Sequence, residues 1–167
     1  NSGIKSMADL KGKTFAFGDK GSTSGYLIPF HYFMTQGITP ETYFSKIVHT
    51  AHQAIETQVT QGNLDAGADY NRNRNLMIEQ GLIKASQSVV IWQSSPLPND
   101  AFAVSKNLYS DKALISKLQS ALEGLSEALK TKPELMPPHY TGFVTKDNSF
   151  YKPIRDAGLA TGKLQAK

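Results

Sequence analysis

The sequence predicts an α/β fold built on a mostly parallel sheet, and three observations carry that reading. Short strand-like runs, Thr14–Phe17, Ile47–Val48 and Leu64–Ala68, alternate with stretches whose apolar residues recur at helical spacing. Glycines close those stretches, at Gly37, Gly62 and Gly81. The intervals leave room for one crossover helix between successive strands, which parallel pairing requires.

Each element has its own warrant. Asp9-Leu10-Lys11-Gly12-Lys13 reads as a turn, and Thr14-Phe15-Ala16-Phe17 after it as a strand. Gly18-Asp19-Lys20-Gly21 breaks that strand, and Ser22 is a good helix N-cap, followed by Tyr26, Leu27, Phe30 and Phe33 or Met34 at helical spacing. Pro29 lies inside this pattern, so a bend or an early first turn is expected in place of a straight rod. Helices over 50–61 and 71–80 follow the second and third strands. Ser88–Gln93, which holds the longest apolar run Val89-Val90-Ile91-Trp92, is expected to be a fourth, buried strand. After the proline-containing stretch 94–100, Ala101–Val104 reads as a last strand. Asp111–Lys130 reads as a long amphipathic helix with Leu114, Leu118, Ala121, Leu122, Leu125 and Leu129 in one stripe. Lys132–Pro138 is a linker, and the tail from His139 is loop-rich with a short helix near 151–157. The expected division is an α/β unit over 1–100 and a helical remainder over 101–167, whose apolar stripe has few strands here to cover it.

Composition narrows the function. With 167 residues, 40% of them hydrophobic, the chain can bury a real core. It has no cysteine, which removes disulfide scaffolds, thiol nucleophiles, cysteine zinc sites and iron–sulfur clusters. The net charge of +4 is a small excess that suits anionic partners. Only three basic residues are arginines (Arg72, Arg74 and Arg155) and the lysines are scattered, so no nucleic-acid partner is expected. Asn71-Arg72-Asn73-Arg74-Asn75 reads as a solvated helix face. No apolar stretch approaches membrane-spanning length, and the opening Asn1-Ser2-Gly3 has neither an initiator Met nor a signal-peptide core, so a processed or cut start is expected.

The segment Gly18–Gly25 carries the most chemistry. A strand ends, a glycine turn follows, and Ser22, Thr23 and Ser24 open a helix whose first N–H groups have no internal partner. A compact tetrahedral oxyanion suits such a site, while the plain alternative is an N-cap with neighbouring serines. A nucleotide-binding loop fails because Tyr26-Leu27 follows Gly25 where Lys-Ser/Thr is needed, and a hydrolase elbow fails because Thr23 holds the central place of Gly21–Gly25. His49 and His52 could form a metal pair, be ordinary surface or cap residues, or lend His52 to an anion. The next carboxylate is only Glu56, and the expectation is no metal. Asp100, in Pro98-Asn99-Asp100, is either a turn residue or a carboxylate that meets a protonated ligand oxygen. Asp65 reads as structural, at a strand end. Neither a spaced carboxylate pair nor a Ser–His–Asp order stands out, so no catalytic residue and no cofactor is expected.

Asp9–Phe17, Ser22–Pro29, His52 opening a helix, Gly62-Asn63-Leu64-Asp65-Ala66-Gly67-Ala68 and Pro98-Asn99-Asp100 together resemble the phosphonate/phosphite substrate-binding proteins of ABC transporters. The resemblance runs from near Asp9 to Val104. It implies a type II periplasmic-binding-protein lobe with a mixed, mostly parallel sheet flanked by helices, plus a C-terminal helical segment of the other lobe. It also implies further chain before Asn1 that supplies the N-terminal part of lobe 1. By the same resemblance, Ser22, Thr23 and Ser24 hold the oxyanion, His52 donates to it, and Asp100 meets a protonated ligand oxygen or a cationic substituent. The cleft then closes without catalysis. The implied partners are a small phosphorus oxyanion (phosphonate, phosphite or phosphate) and an ABC-transporter permease, which supplies the only membrane association. The implied location is the periplasm, or the outer surface as a lipoprotein in a Gram-positive host. Relatives that bind aminoalkyl phosphonates carry a second carboxylate where this chain has Tyr70-Asn71-Arg72-Asn73-Arg74, which favours a smaller anion. The alternatives are a sensory module of the same fold, a phosphoester-processing α/β enzyme, and a fragment without a complete site.

Overall fold

The computed structural model describes residues 3–138 and 140–165. Asn1 and Ser2, on which the expectation of a cut start rests, and His139, where the tail begins, lie outside the described residues. The chain divides into two compact units, Asn1–Leu97 with Lys152–Lys167, and Pro98–Tyr151.

The first unit is built on three parallel strands: β1 (Thr14–Phe17), β2 (Lys46–His49) and β3 (Ala66–Gly67), in the order β2-β1-β3. Phe15 pairs with Ile47 on one side and with Ala66 on the other. Side chains alternate along β1, so Phe15 and Phe17 enter one core and Ala16 the other. The first core is aromatic. Phe15 stacks on Phe44 at 4.5 Å between ring centres and meets Phe33 edge-on at 5.6 Å, with Leu10, Tyr26 and Ala68 around them. The second core is aliphatic, Ala16 with Ile55 and Leu64. Both faces of β1 are therefore covered, as crossover helices require.

The helices of this unit are α1 (Ile28–Thr35), α2 (Pro40–Tyr43), α3 (His52–Thr60), α4 (Asn71–Glu79) and α7 (Lys152–Ala160). Gly37, Gly62 and Gly81 sit at φ of 69°, 78° and 71°, the left-handed caps at which the three helical stretches were expected to stop. The irregularity expected at Pro29 is a π-helical turn, Thr23–Leu27, that runs straight into α1. Pro29 has no N–H for Gly25, its partner in the α-helical register, and the Gly25 carbonyl instead accepts the Gly18 N–H at 2.8 Å. That bond ties the end of β1 to the start of the helix.

Two expected strands are absent. Over Ser88–Gln93 there is no regular structure, and Val89 and Val90 are 69% and 57% exposed. The Ser88 carbonyl is occupied by Arg74, whose Nε and Nη2 donate to it at 3.1 and 2.5 Å, and Trp92 packs on Tyr32 at 4.3 Å. The segment is thus held by side chains and not by a ladder. Arg74 is accordingly no solvated residue. Ala101–Val104 is likewise without regular structure, and Phe102 is 67% exposed.

The second unit contains α5 (Lys106–Tyr109) and α6 (Lys112–Thr131), with short 3-10 turns at Pro133–Leu135 and Asn148–Tyr151. Asp111 caps α6 by accepting the Leu114 N–H at 3.0 Å. The chain beyond returns along α6, where the Thr145 hydroxyl donates to Glu123 at 2.6 Å. Among the described residues no helix is long and apolar enough to cross a membrane.

Candidate anion site

The site forms where β1 and β2 end. Asp19 shapes the turn after β1: its carboxylate accepts the Gly21 N–H and its carbonyl the Ser22 N–H, both at 2.8 Å. Ser22 then caps the helical turn, its hydroxyl oxygen accepting the Gly25 N–H at 3.0 Å. The Ser22 carbonyl accepts from both Tyr26 and Leu27, at 3.2 and 3.0 Å, which widens the first turn. Thr23 and Ser24 begin that turn half-buried, and their backbone N–H groups precede any intrahelical acceptor.

His52 is the first residue of α3, and its Nε2 lies 3.3 Å from the Ser22 hydroxyl oxygen. Gly25 makes this approach possible: a Cβ there would stand 2.7 Å from His52 Cε1 and 3.0 Å from the Gly18 Cα. Behind the ring, Nδ1 lies 2.8 Å from Asp69 Oδ1, the Tyr70 ring meets it edge-on at 4.7 Å, and Asp69 Oδ2 accepts from Asn73 Nδ2 at 2.7 Å. One turn along α3, Glu56 is buried with its carboxyl pKa raised, first by burial and then by the negative charge of Asp69.

Of the residues expected from sequence, Ser22, Thr23, Ser24 and His52 come together. Asp100 lies in the second unit, exposed and outside regular structure. His49 does not join His52 as a metal pair. It ends β2, and its Nδ1 contacts the Gly18 carbonyl at 2.9 Å. Among the described residues no three His, Asp or Glu gather as a metal site. Asp69 was missed, because seventeen positions separate it from His52 and only tertiary folding joins them. Its presence supplies a Ser22–His52–Asp69 alignment, which the sequence order did not show. The alignment differs from a nucleophilic triad in one respect: the Ser22 oxygen already spends a lone pair on the Gly25 N–H. What the arrangement offers is a cluster of donors, hydroxyls and helix-start N–H groups beside an imidazole, suited to holding an oxyanion.

The chain is similar to known binding proteins of ABC transporters. The family described as ABC transporter, phosphonate, periplasmic substrate-binding protein matches residues 1–151. The Phosphonates-binding periplasmic protein of Escherichia coli is 29% identical over 102 residues, 61% of this chain and 30% of that protein. The Phosphate-import protein PhnD of Mycolicibacterium smegmatis is 27% identical over 125 residues, 70% of this chain and 38% of that protein. The chain thus spans about a third of the length of these relatives. Among solved structures, a binding-protein component of an ABC phosphonate transporter from Pseudomonas aeruginosa aligns with a TM-score of 0.71 and 24% identity, over 96% of this chain and 54% of that one. PhnD1 from Prochlorococcus marinus, solved with methylphosphonate, aligns with a TM-score of 0.80 and 21% identity, over 96% of this chain and 63% of that one. These two likenesses bear on the fold.

Proposed function

The chain belongs to the phosphonate periplasmic substrate-binding proteins of ABC transporters, and on that premise we propose that it binds a small phosphorus oxyanion, phosphonate, phosphite or phosphate, for uptake. Ser22, Thr23 and Ser24 hold the phosphorus oxygens with their hydroxyls and the N–H groups of the turn, and His52 completes the shell. Asp100 accepts a hydrogen bond from a protonated ligand oxygen. No bond is made or broken. The protein passes the anion to a permease, from the periplasm or from the outer face of the membrane as an anchored lipoprotein. The observation that carries this reading is the 3.3 Å approach of His52 Nε2 to a serine that caps a hydroxyl-rich helix start.

Small anions are favoured over aminoalkyl phosphonates on electrostatic grounds, since α4 follows the site with Arg72 and Arg74 and no carboxylate until Glu79. The test is a thermal-shift and calorimetric series with phosphite, methylphosphonate, phosphate and 2-aminoethylphosphonate. A ligand at one hundred times its Kd adds about 2.7 kcal/mol, which for a chain of this size raises Tm by roughly 5–10 °C. The expected result is a selective rise with a small anion, lost in Ser22→Ala and His52→Ala and weakened in Asp100→Asn. No rise with any of the four overturns the reading. The Ser22–His52–Asp69 alignment favours a second reading, a phosphoester-processing enzyme, and turnover of an activated phosphate or phosphonate ester by the same chain would establish it.

A further inference from the structure

His52 presents two different nitrogens to two different neighbours. Nδ1 stands 2.8 Å from Asp69 Oδ1, and neither atom has a further hydrogen-bond partner among the described residues. A ring lone pair aimed at a carboxylate oxygen at that distance is repelled, so Nδ1 is the nitrogen that carries a proton. Asp69 is held in turn by Asn73, and its side chain is only 8% exposed. Nε2 is left facing Ser22.

We propose that Asp69 is a positioning residue for oxyanion binding, fixing the His52 proton on Nδ1 so that Nε2 reads the protonation state of the bound anion. The inference rests on the anion-binding reading above. The Ser22 hydroxyl has one hydrogen, and its oxygen already accepts the Gly25 N–H. In the neutral ring Nε2 is an acceptor, and it takes its hydrogen either from Ser22 or from a P–OH group of the ligand. In the imidazolium Nε2 is a donor to P–O⁻, and the Ser22 hydrogen is released to a second ligand oxygen. An anion that keeps one hydroxyl therefore fits the neutral ring. A fully deprotonated anion needs the cationic ring, and the extra proton comes from solvent onto Nε2. Either way the complex holds one proton at this point, so affinity falls as pH rises beyond the range in which ligand or ring retains it.

The charged groups around the pair act in known directions. Glu56, on α3, is buried beside Asp69 and its carboxyl pKa is raised by burial first, so it resists adding a second negative charge there. Arg74, on α4, attracts Glu56, and the Arg72 guanidinium lies 5.7 Å over the Tyr70 ring that borders His52. The turn before Ser22 carries Asp19, engaged by the Gly21 N–H, and Lys20.

The test joins ring-nitrogen NMR of His52 with calorimetry of methylphosphonate in two buffers of different ionisation heat, across about pH 6 to 8.5. Wild type is expected to show the Nδ1–H tautomer and uptake of up to one proton on binding, rising with pH. Asp69→Asn, which keeps shape but offers a donor to Nδ1, is expected to move the proton to Nε2, abolish the uptake and remove the fall in affinity toward high pH, with binding weakened at the acid end, where the ligand keeps its hydroxyl. An Nε2–H tautomer in unliganded wild type overturns the proposal without any variant. A folded Asp69→Asn with wild-type affinity and pH profile overturns it and leaves the anion reading standing. Wild type that binds none of the four oxyanions overturns both.

Discussion

At the scale of single residues, Gly25 is required by space and not by backbone angle. Its missing Cβ would stand 2.7 Å from His52 Cε1, 3.0 Å from the Gly18 Cα and 3.1 Å from the Ser22 hydroxyl oxygen, so three parts of the site converge on one hydrogen. Gly25→Ala must push the imidazole off Ser22 or part the Gly18–Gly25 contact. Overpacking of this kind costs about 1–3 kcal/mol of stability, and the expected binding loss is larger in consequence than the stability loss, at least roughly tenfold, because positioning is what the site supplies. Gly21→Ala is the matching control, since its Cβ would meet only an Asp19 oxygen at 3.2 Å. Denaturant melts and oxyanion titrations of the two variants check the contrast; equal binding by Gly25→Ala and wild type would refute it. In the sequence Gly21 and Gly25 look alike, two glycines flanking three hydroxyl residues, and only the fold shows that Gly25 is the one crowded by His52. The sequence could not announce Asp69 or the burial of Glu56, since both depend on which strand end meets which helix start.

At the scale of elements, β3 is two residues long, and a side-chain clamp compensates for its short ladder. The Thr14 N–H and hydroxyl both donate to Asp65 Oδ2, at 2.8 and 2.7 Å, and the Asp65 N–H donates back to the Thr14 hydroxyl oxygen at 3.0 Å. The clamp joins the first residue of β1 to the residue before β3 and so sets their register. The strand-end role expected for Asp65 is the one found. The Thr14 N–H first, and its hydroxyl second, lower the Asp65 pKa below the ordinary carboxylate range. The sign follows: a depressed carboxylate stabilises the fold above its unfolded pKa, and that contribution is lost as pH falls through the lower, folded value. Asp65→Ala is expected to cost about 1–2 kcal/mol near neutrality, charge-assisted bonds discounted for partial exposure. The gap to wild type should close in acid, and urea melts at several pH values between neutral and strongly acidic check it; a gap independent of pH would be the wrong outcome. The helices were readable because apolar spacing and terminal glycines agree at Gly37, Gly62 and Gly81. The strand expected over Ser88–Gln93 was not there to read, because a short apolar run does not say whether a neighbouring strand exists to pair with it.

At the scale of the whole molecule, the chain returns to where it started. A short helix near residue 151 was legible in the spacing of the tail, but its destination was not, since nothing local marks which surface it covers. In the structure α7 packs on α1 and on the π-helical turn that carries Thr23 and Ser24, with Ala157 fully buried and the Lys163 ammonium 5.3 Å above the Tyr26 ring. Tyr26 in turn meets Phe17 edge-on at 5.4 Å, so the segment after α7 reaches the aromatic core through the Tyr26 ring. Removing α7 uncovers the faces of α1 and of the helical turn on which it packs, and loosens the turn whose N–H groups are proposed to hold the ligand. A chain ending at Tyr151 is therefore expected to melt at lower temperature, to lose amide protection over Tyr26–Phe33, and to bind the oxyanion more weakly. Because so large a deletion can unfold the unit outright, Ala157→Leu gives a graded form of the same change, about 1–3 kcal/mol of overpacking at a buried contact. Hydrogen exchange on this variant should place the loss of protection in the helical turn and α1 and leave the Phe15–Phe44 stack protected. Loss spread evenly across the first unit would mean that α7 stabilises the fold as a whole and has no particular hold on the site.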